Sequence, residues 1–384
     1  MKVEREIAGI ALPFMAGVLI TAHAEQSFCI DYQAVSIISL GVTAMVLVWL
    51  LYRYRSADKD IAWREKWSDS SIRSVVCLGV FSCGVLSAAT ELFMGIEWPS
   101  SRSEIMARQI QSGLQLAIDS IPFQSTDTGA LIKALLTGDR SSLSPAVTSA
   151  FRASGASHIL ALSGLHLGII YMIFSKLSGI LGNGRNARRY RSLILILLCG
   201  TYTMATGAGA SIVRAFLFIF LTETARLCGR GRSLSQLLFA SLLLHLTISP
   251  LSVLSVSFQL SYSAMAGIAF IFPWVKGLWP EKDTAETTTG RHLSRAMRWI
   301  WTSAALSISC QLTTGPLAYI YFGTFPKYFL LTNLIALPLT GILIPCAALT
   351  LCLSAIGICP RIVVTLTERF SDTLTWALEV IATM

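Results

Sequence analysis

Long apolar runs alternate with short polar breaks along almost the whole chain. Runs at 7–23, 34–52, 72–95, 156–181, 191–206, 211–228, 233–249, 251–273, 297–320 and 329–358 hold few charges. Most lie near the roughly 17–25 residues needed to cross a bilayer core of ~30 Å. Segments inside lipid must satisfy their own backbone hydrogen bonds, so they cross as helices. The pattern predicts an all-α protein, a polytopic transmembrane helical bundle of about nine to eleven spans with broken or re-entrant helices. Pro338 and Pro345 interrupt the last run, which is expected to be two short segments or a re-entrant one. The first run is read as a span and not as a signal peptide, because no small-residue cleavage site follows it cleanly.

Residues 96–155 are too polar to span. The stretch SRSEIMARQIQSGLQLAIDSIPF sets Ile105, Ile110, Leu114 and Ile118 near helical spacing and predicts an amphipathic helix ended by Pro122. Ser144 is placed to cap a second helix with Pro145 at its first position, and Gly155 closes it. A short extracytoplasmic lid or collar is expected. The tail alternates polar and apolar residues, which predicts an amphipathic helix lying in the membrane interface. Four regions follow: N-terminal spans (1–95), the extracytoplasmic segment (96–155), a membrane core (156–358) and the amphipathic tail (359–384).

Composition agrees with the pattern. Hydrophobic residues make up 54% of the chain and charged ones only 13%, against about 25% charged in a soluble domain. The nine cysteines form no CxxC pair and sit almost entirely in apolar runs, where they act as small hydrophobes. Cys29 alone is placed in a loop. A net charge of +9 would suggest a nucleic-acid surface. The excess lies in the stretches 53–73, 182–191, 226–232 and 274–298, which all fall on one side of the membrane. A cytoplasmic N-terminus puts them inside, as the positive-inside rule asks. Segment 96–155 balances five basic residues with five acidic ones. The charge therefore reports topology, and DNA binding cannot be argued from it.

Polar residues inside the apolar runs carry the remaining signal. In RASGASHILALSGLHLGIIY, residues 152–171, His158, Ser163 and His166 stand where lipid is expected, and ionisable groups at such depth mark a partner or a pathway. Ser163 and His166 share a helix face, leaving three readings: a bond to a neighbouring helix, a wall of a polar cavity, or a Ser/His hydrolase pair. Gly164 and Gly168 permit close packing or local unwinding. Arg214 sits several residues into its run. Spaced as a helix, Ser252, Ser255, Gln259 and Ser263 fall on one face. Ser303, Ser307, Cys310 and Thr314 form a similar stripe, and Asn333 precedes Pro338. Together these predict a polar passage within the membrane. No GxxxxGK[ST], HExxH or HxHxD motif is present, so no ATPase, metal site or cofactor is expected, and the chain is not expected to be an enzyme.

Four blocks, ALLTGDRSSLSPAVTSAFRASGASHILALSGLHLGIIY (134–171), GASIVRAFLFIFL (209–221), PLSVLSVSFQLSYSAMAGI (250–268) and TTGPLAYIYFGTFPKYFLLTNLIALPL (313–339), resemble in sequence and order the membrane core of the bacterial ComEC competence family. The resemblance implies a channel in the cytoplasmic membrane that passes single-stranded DNA into the cell during natural transformation, driven by the proton gradient or a separate helicase-like ATPase. The polar positions expected to line that passage are His158, Ser163, His166, Arg214, Ser252, Ser255, Gln259, Ser263 and Asn333, with an outer entrance shaped by Asp139, Arg140 and Arg152. Residues 96–135 are too few for the family's external oligonucleotide-binding-like domain, and its metallo-β-lactamase-like motif is missing. A DNA receptor and a nuclease are therefore expected from partners, and a homodimer could double the few cations along the path. A small-solute transporter is the alternative.

Overall fold

The computed structural model describes all residues except 1, 28–30, 56–69, 95–100, 161, 183, 230, 232, 280–287, 324 and 326. Cys29 and much of the basic stretches 53–73 and 274–298 lie outside the described residues. In chain order the helices are α1 (Lys2–Ser27), α2 (Tyr32–Arg55), α3 (Ser70–Met94), α4 (Ser101–Asp119), α5 (Thr126–Thr137), α6 (Pro145–Ala153), α7 (Ser157–Leu160) and α8 (Gly164–Leu177). Then come α9 (Arg185–Ala205), α10 (Ala210–Leu227), α11 (Leu234–Ile248), α12 (Val256–Ala266), α13 (Phe272–Lys276), α14 (Thr288–Phe322), α15 (Phe329–Ala355) and α16 (Arg361–Ala382). No strand occurs among the described residues. The protein is an all-α helical membrane protein. Among the described residues, five helical stretches are long and apolar enough to cross a bilayer: Glu6–Glu25, Tyr32–Leu51, Ile72–Met94, Val256–Lys276 and Phe329–Ala355. Gly164–Ile180 and Leu234–Ile248 are shorter apolar helices.

The chain divides into two compact units that cut across the expected regions. The first comprises Met1–Trp98 and Gly231–Gln259. Here α1 and α3 meet through glycines. A Cβ on Gly17 would lie 2.2 Å from the Phe81 carbonyl oxygen, and one on Gly84 would lie 2.2 Å from that of Phe14. Only glycine lets the two backbones approach so closely, the small-residue packing typical of membrane helices. The Ser82 hydroxyl on α3 donates to the Ser39 carbonyl of α2 at 2.8 Å. The rest of α2 exposes Ile38, Met45 and Val48, a face suited to lipid.

The second unit comprises Pro99–Arg230 and Leu260–Met384. Leu131, Leu135, Val147, Phe151 and Ile159 pack with Ala336 and Leu343 of α15 and Leu374 and Leu378 of α16. Helices α4 to α6 are therefore part of a core, not the peripheral lid expected of 96–155. The caps are as read: Ser144 accepts the Val147 N–H, Pro145 opens α6, and Gly155 takes a left-handed φ of 80°. Helix α16 corrects the interfacial-tail expectation. Its apolar stripe buries Val364, Leu374, Leu378 and Ile381, and Thr367 bonds to Thr350 of α15 at 2.9 Å.

Helix α15 corrects another expectation. It runs unbroken through Pro338 and Pro345 for 27 residues, about 40 Å at 1.5 Å per residue. Prolines are tolerated in such helices where neighbours re-satisfy the freed carbonyls. The breaks fall elsewhere, between α7 and α8 and around α12, which a π-helical turn at Gly267–Ile271 follows. A Cβ on Gly267 would lie 2.4 Å from the Ser309 carbonyl oxygen, so this turn lies tight against α14.

Candidate functional site

A polar region of the second unit is built between α7, which ends at Leu160, and α8, which begins at Gly164. Arg140 Nε donates to the Leu160 carbonyl at 3.1 Å, closing the end of α7. Gly138, with a φ of 80°, faces Leu162, whose Cδ1 would stand 2.3 Å from a Cβ at that position. Asp139 accepts the Ser141 N–H at 2.9 Å and the Gln115 amide at 3.1 Å. Hydrogen bonds from the Ser141 hydroxyl and then its N–H hold the Asp139 carboxyl below the usual carboxylate range. Of the residues expected at an entrance, Arg140 braces the break directly.

Ser163 opens α8. Its extended backbone lets Oγ accept the Leu165 N–H at 3.3 Å. His166 Nδ1 reciprocates by accepting the Ser163 N–H at 3.2 Å, and lies 3.1 Å from Ser163 Oγ. This is a capping box with histidine in the place of the usual Glu or Gln. The Ser163–His166 contact, a distance that also suits nucleophile and base, is accounted for by the helix start. His166 is fully buried, and its Nε2 has no protein partner.

His158 Nδ1 donates to the Gly155 carbonyl at 3.1 Å. The residue keeps exposed surface, the Asn333 side chain of α15 reaches its ring, and the ring lies within electrostatic range of His166. Asn333 Oδ1 is buried without a partner. Arg214 on α10 is buried and donates to the Ser261 carbonyl. Its guanidinium sits 6.0 Å from the Tyr262 ring centroid, and its Nη2 would stand 3.3 Å from a Cβ on Gly164. It points into the fold and does not snorkel. Gly164 thereby makes room at the start of α8, whereas Gly168 has open space around it. His158, Ser163, His166 and Asn333 are thus gathered at the break, with Arg214 beside the start of α8.

The predicted stripe Ser252, Ser255, Gln259 and Ser263 does not form. Ser255 is extended (φ −72°, ψ 132°) between the 3-10 turn Pro250–Leu254 and α12, so no continuous helix aligns the four. Ser252 donates to Ser249 at 2.7 Å, Ser255 to Ser252 at 2.8 Å, and Gln259 to the Val253 carbonyl at 3.0 Å. These are local bonds that tie the kink. Ser263 is half-buried on α12. Arg152 is exposed on α6 and edges an open depression of about 550 Å³ that Leu143, Pro145 and Thr148 also line.

One polar cluster was not anticipated. Glu223 of α10 has no exposed surface. It accepts the Tyr171 hydroxyl of α8 at 2.5 Å, the Ser192 hydroxyl of α9 at 2.7 Å, and Arg226 of its own helix at 2.7 Å. A signal was available, because Glu223 is the only acidic residue between Asp139 and Glu281.

The fold and this broken-helix cluster define a helical membrane protein that holds buried His166 and Arg214 side chains beside an interrupted helix. Residues 135–384 match the family model described as Competence protein, and the chain belongs to that family. It is 32% identical over 142 residues to ComE operon protein 3 of Bacillus subtilis (strain 168), a match covering 36% of this chain and 17% of that protein. It is 29% identical over 229 residues to Competence protein ComA of Neisseria gonorrhoeae, covering 58% and 30% respectively. It is 26% identical over 278 residues to Uncharacterized protein YcaI of Escherichia coli (strain K12), covering 71% and 35%. The matches thus span about a third or less of those relatives' lengths. No solved structure matches.

Proposed function

We propose that this chain forms a channel in the bacterial cytoplasmic membrane that passes single-stranded DNA into the cytoplasm during natural transformation, with its N-terminus on the cytoplasmic side. The supporting observation is the interrupted helix α7–α8. It sets His158, Asn333 and His166 together in the unit that the family model covers, and leaves His166 Nε2 buried without a protein partner. Buried polar atoms are normally satisfied, so this one suits a polar guest or water. A phosphate backbone asks for cations along its path, and Arg214 with Arg140 and Arg152 supplies few, so a homodimer would complete the lining. In this reading a DNA receptor, a nuclease and a helicase-like ATPase act as separate partners.

The test is the transformation frequency of a clean deletion strain, complemented by the wild-type chain or by His158→Ala. Loss on deletion, restoration by wild type and failure of the variant support the channel. Undiminished transformation in the deletion strain refutes it and favours a small-solute transporter.

The 3.1 Å Ser163–His166 approach keeps a second reading in view, an intramembrane hydrolase with Ser163 as nucleophile. It requires Ser163→Ala to abolish function at normal expression. The capping role requires only weakened stability.

A further inference from the structure

We propose that the turn joining α14 to α15 is a stacking platform for the bases of a single strand, at the mouth beside the interrupted helix. This deepens the channel reading and rests on it. The end of α14 exposes Tyr319 (62%) and Phe322 (60%), and the turn after it exposes Phe325 (50%).

The Phe325 ring is braced. One side lies on α14 where Gly315 clears the space, its Cε2 standing 3.3 Å from where a Cβ would be. Its edge meets Phe329 in a T-shaped contact with centroids 6.1 Å apart. The rest of the ring is open. Tyr328 is fixed as well, its hydroxyl donating to the Met384 carbonyl at 2.9 Å. A ring held on one side and bare on the other is pre-organised for a flat partner, and every nucleobase offers a π face.

Position and charge select the occupant. The Thr332 hydroxyl, one helical turn into α15, donates to the Ser154 carbonyl at 2.7 Å. This draws the turn to the end of α6, where Arg152 is exposed and His158 follows. Lys327 is exposed within the turn itself. A cation in the same turn as an open aromatic ring, with a second on the helix end bonded to α15, suits a phosphate backbone with its bases laid on the rings. An aromatic belt at the membrane surface is the competing occupant.

The experiment uses the full chain in lipid nanodiscs and fluorescence anisotropy with two labelled 20-mers of equal charge, oligo-dT and an abasic strand. The platform predicts that the wild type binds oligo-dT on the order of tenfold more tightly than the abasic strand. Phe325→Leu, which keeps bulk over Gly315 but loses the π face, should erase that gap, and Phe325→Trp should keep it. Equal binding of the two strands by the wild type overturns the platform while sparing the channel. Absence of any oligo-dT binding by the wild type overturns both. If Phe325→Leu keeps the full gap and instead changes the dependence of thermal stability on bilayer thickness, the ring is a membrane anchor and the platform is wrong.

Discussion

Glu223→Ala is the most informative single perturbation of the fold. Its carboxyl group is the common acceptor for Tyr171, Ser192 and Arg226, and so joins α8, α9 and α10 at one point. Removing one partner of a buried ion pair costs about 3–5 kcal/mol in soluble proteins. Hydrogen bonds between membrane helices average nearer ~0.6 kcal/mol, because the unfolded chain in lipid also finds partners. The Tyr171 and Ser192 hydroxyls lose their acceptor, whereas Arg226, with 35% of its side chain exposed, can turn to solvent, so a loss of about 1–3 kcal/mol is expected. Glu223→Gln keeps an acceptor oxygen and should lose about half as much. Detergent-resistant fold can be titrated with SDS in mixed micelles, followed by the fluorescence of the nine tryptophans. Pairing Glu223→Ala with Tyr171→Phe in a double-mutant cycle should give a coupling of about 0.5–2 kcal/mol. A loss within about 0.5 kcal/mol of wild type, or strictly additive effects, would refute the clamp.

Other outcomes follow from single contacts. Gly84→Ala places a methyl 2.2 Å from the Phe14 carbonyl oxygen, so α1 and α3 must part, at a cost of roughly 1–3 kcal/mol; an unchanged SDS midpoint contradicts this. Ser163→Ala removes the cap of α8 and should cost about 0.5–2 kcal/mol while leaving transformation largely intact. Asp139 has a folded pKa lowered by its Ser141 hydrogen bonds. Its stabilisation is therefore complete above the unfolded value near ~3.9 and disappears as pH falls through the lower folded one. Asp139→Asn should therefore lower stability at neutral pH, converge with wild type in acid and so flatten that acid limb of the unfolding curve; an unchanged acid limb would count against the Ser141 contact.

Much of this was legible in the pattern. Apolar run length located α1, α2 and α3, and the Ser144–Pro145 pair marked the start of α6, because those features act through a few adjacent residues. The interruption near Gly164 was open to a sequence reader, but its physical form was not. A histidine in a capping box resembles a helix-face pair when only spacing is known. The serine stripe at 252–263 misled for a related reason: helical spacing aligns residues only if no residue between them is extended, and Ser255 is. Pro338 and Pro345 suggested breaks that α15 does not make. Helices α4 to α6 and α16 were read as peripheral because their polar faces hide an apolar stripe whose partner lies far away in sequence. Glu223 escaped notice because its donors come from three separate stretches of chain.

The central claim is that a DNA strand passes beside the interrupted helix α7–α8. The direct measurement places a photo-crosslinking side chain at His158 and, as a control, at Met45 on the exposed face of α2. Cells taking up end-labelled DNA are then illuminated. The account predicts labelled adducts at position 158 that require ongoing uptake and are missing at position 45. Adducts at neither position, or at both equally, during uptake that this chain demonstrably supports would contradict it.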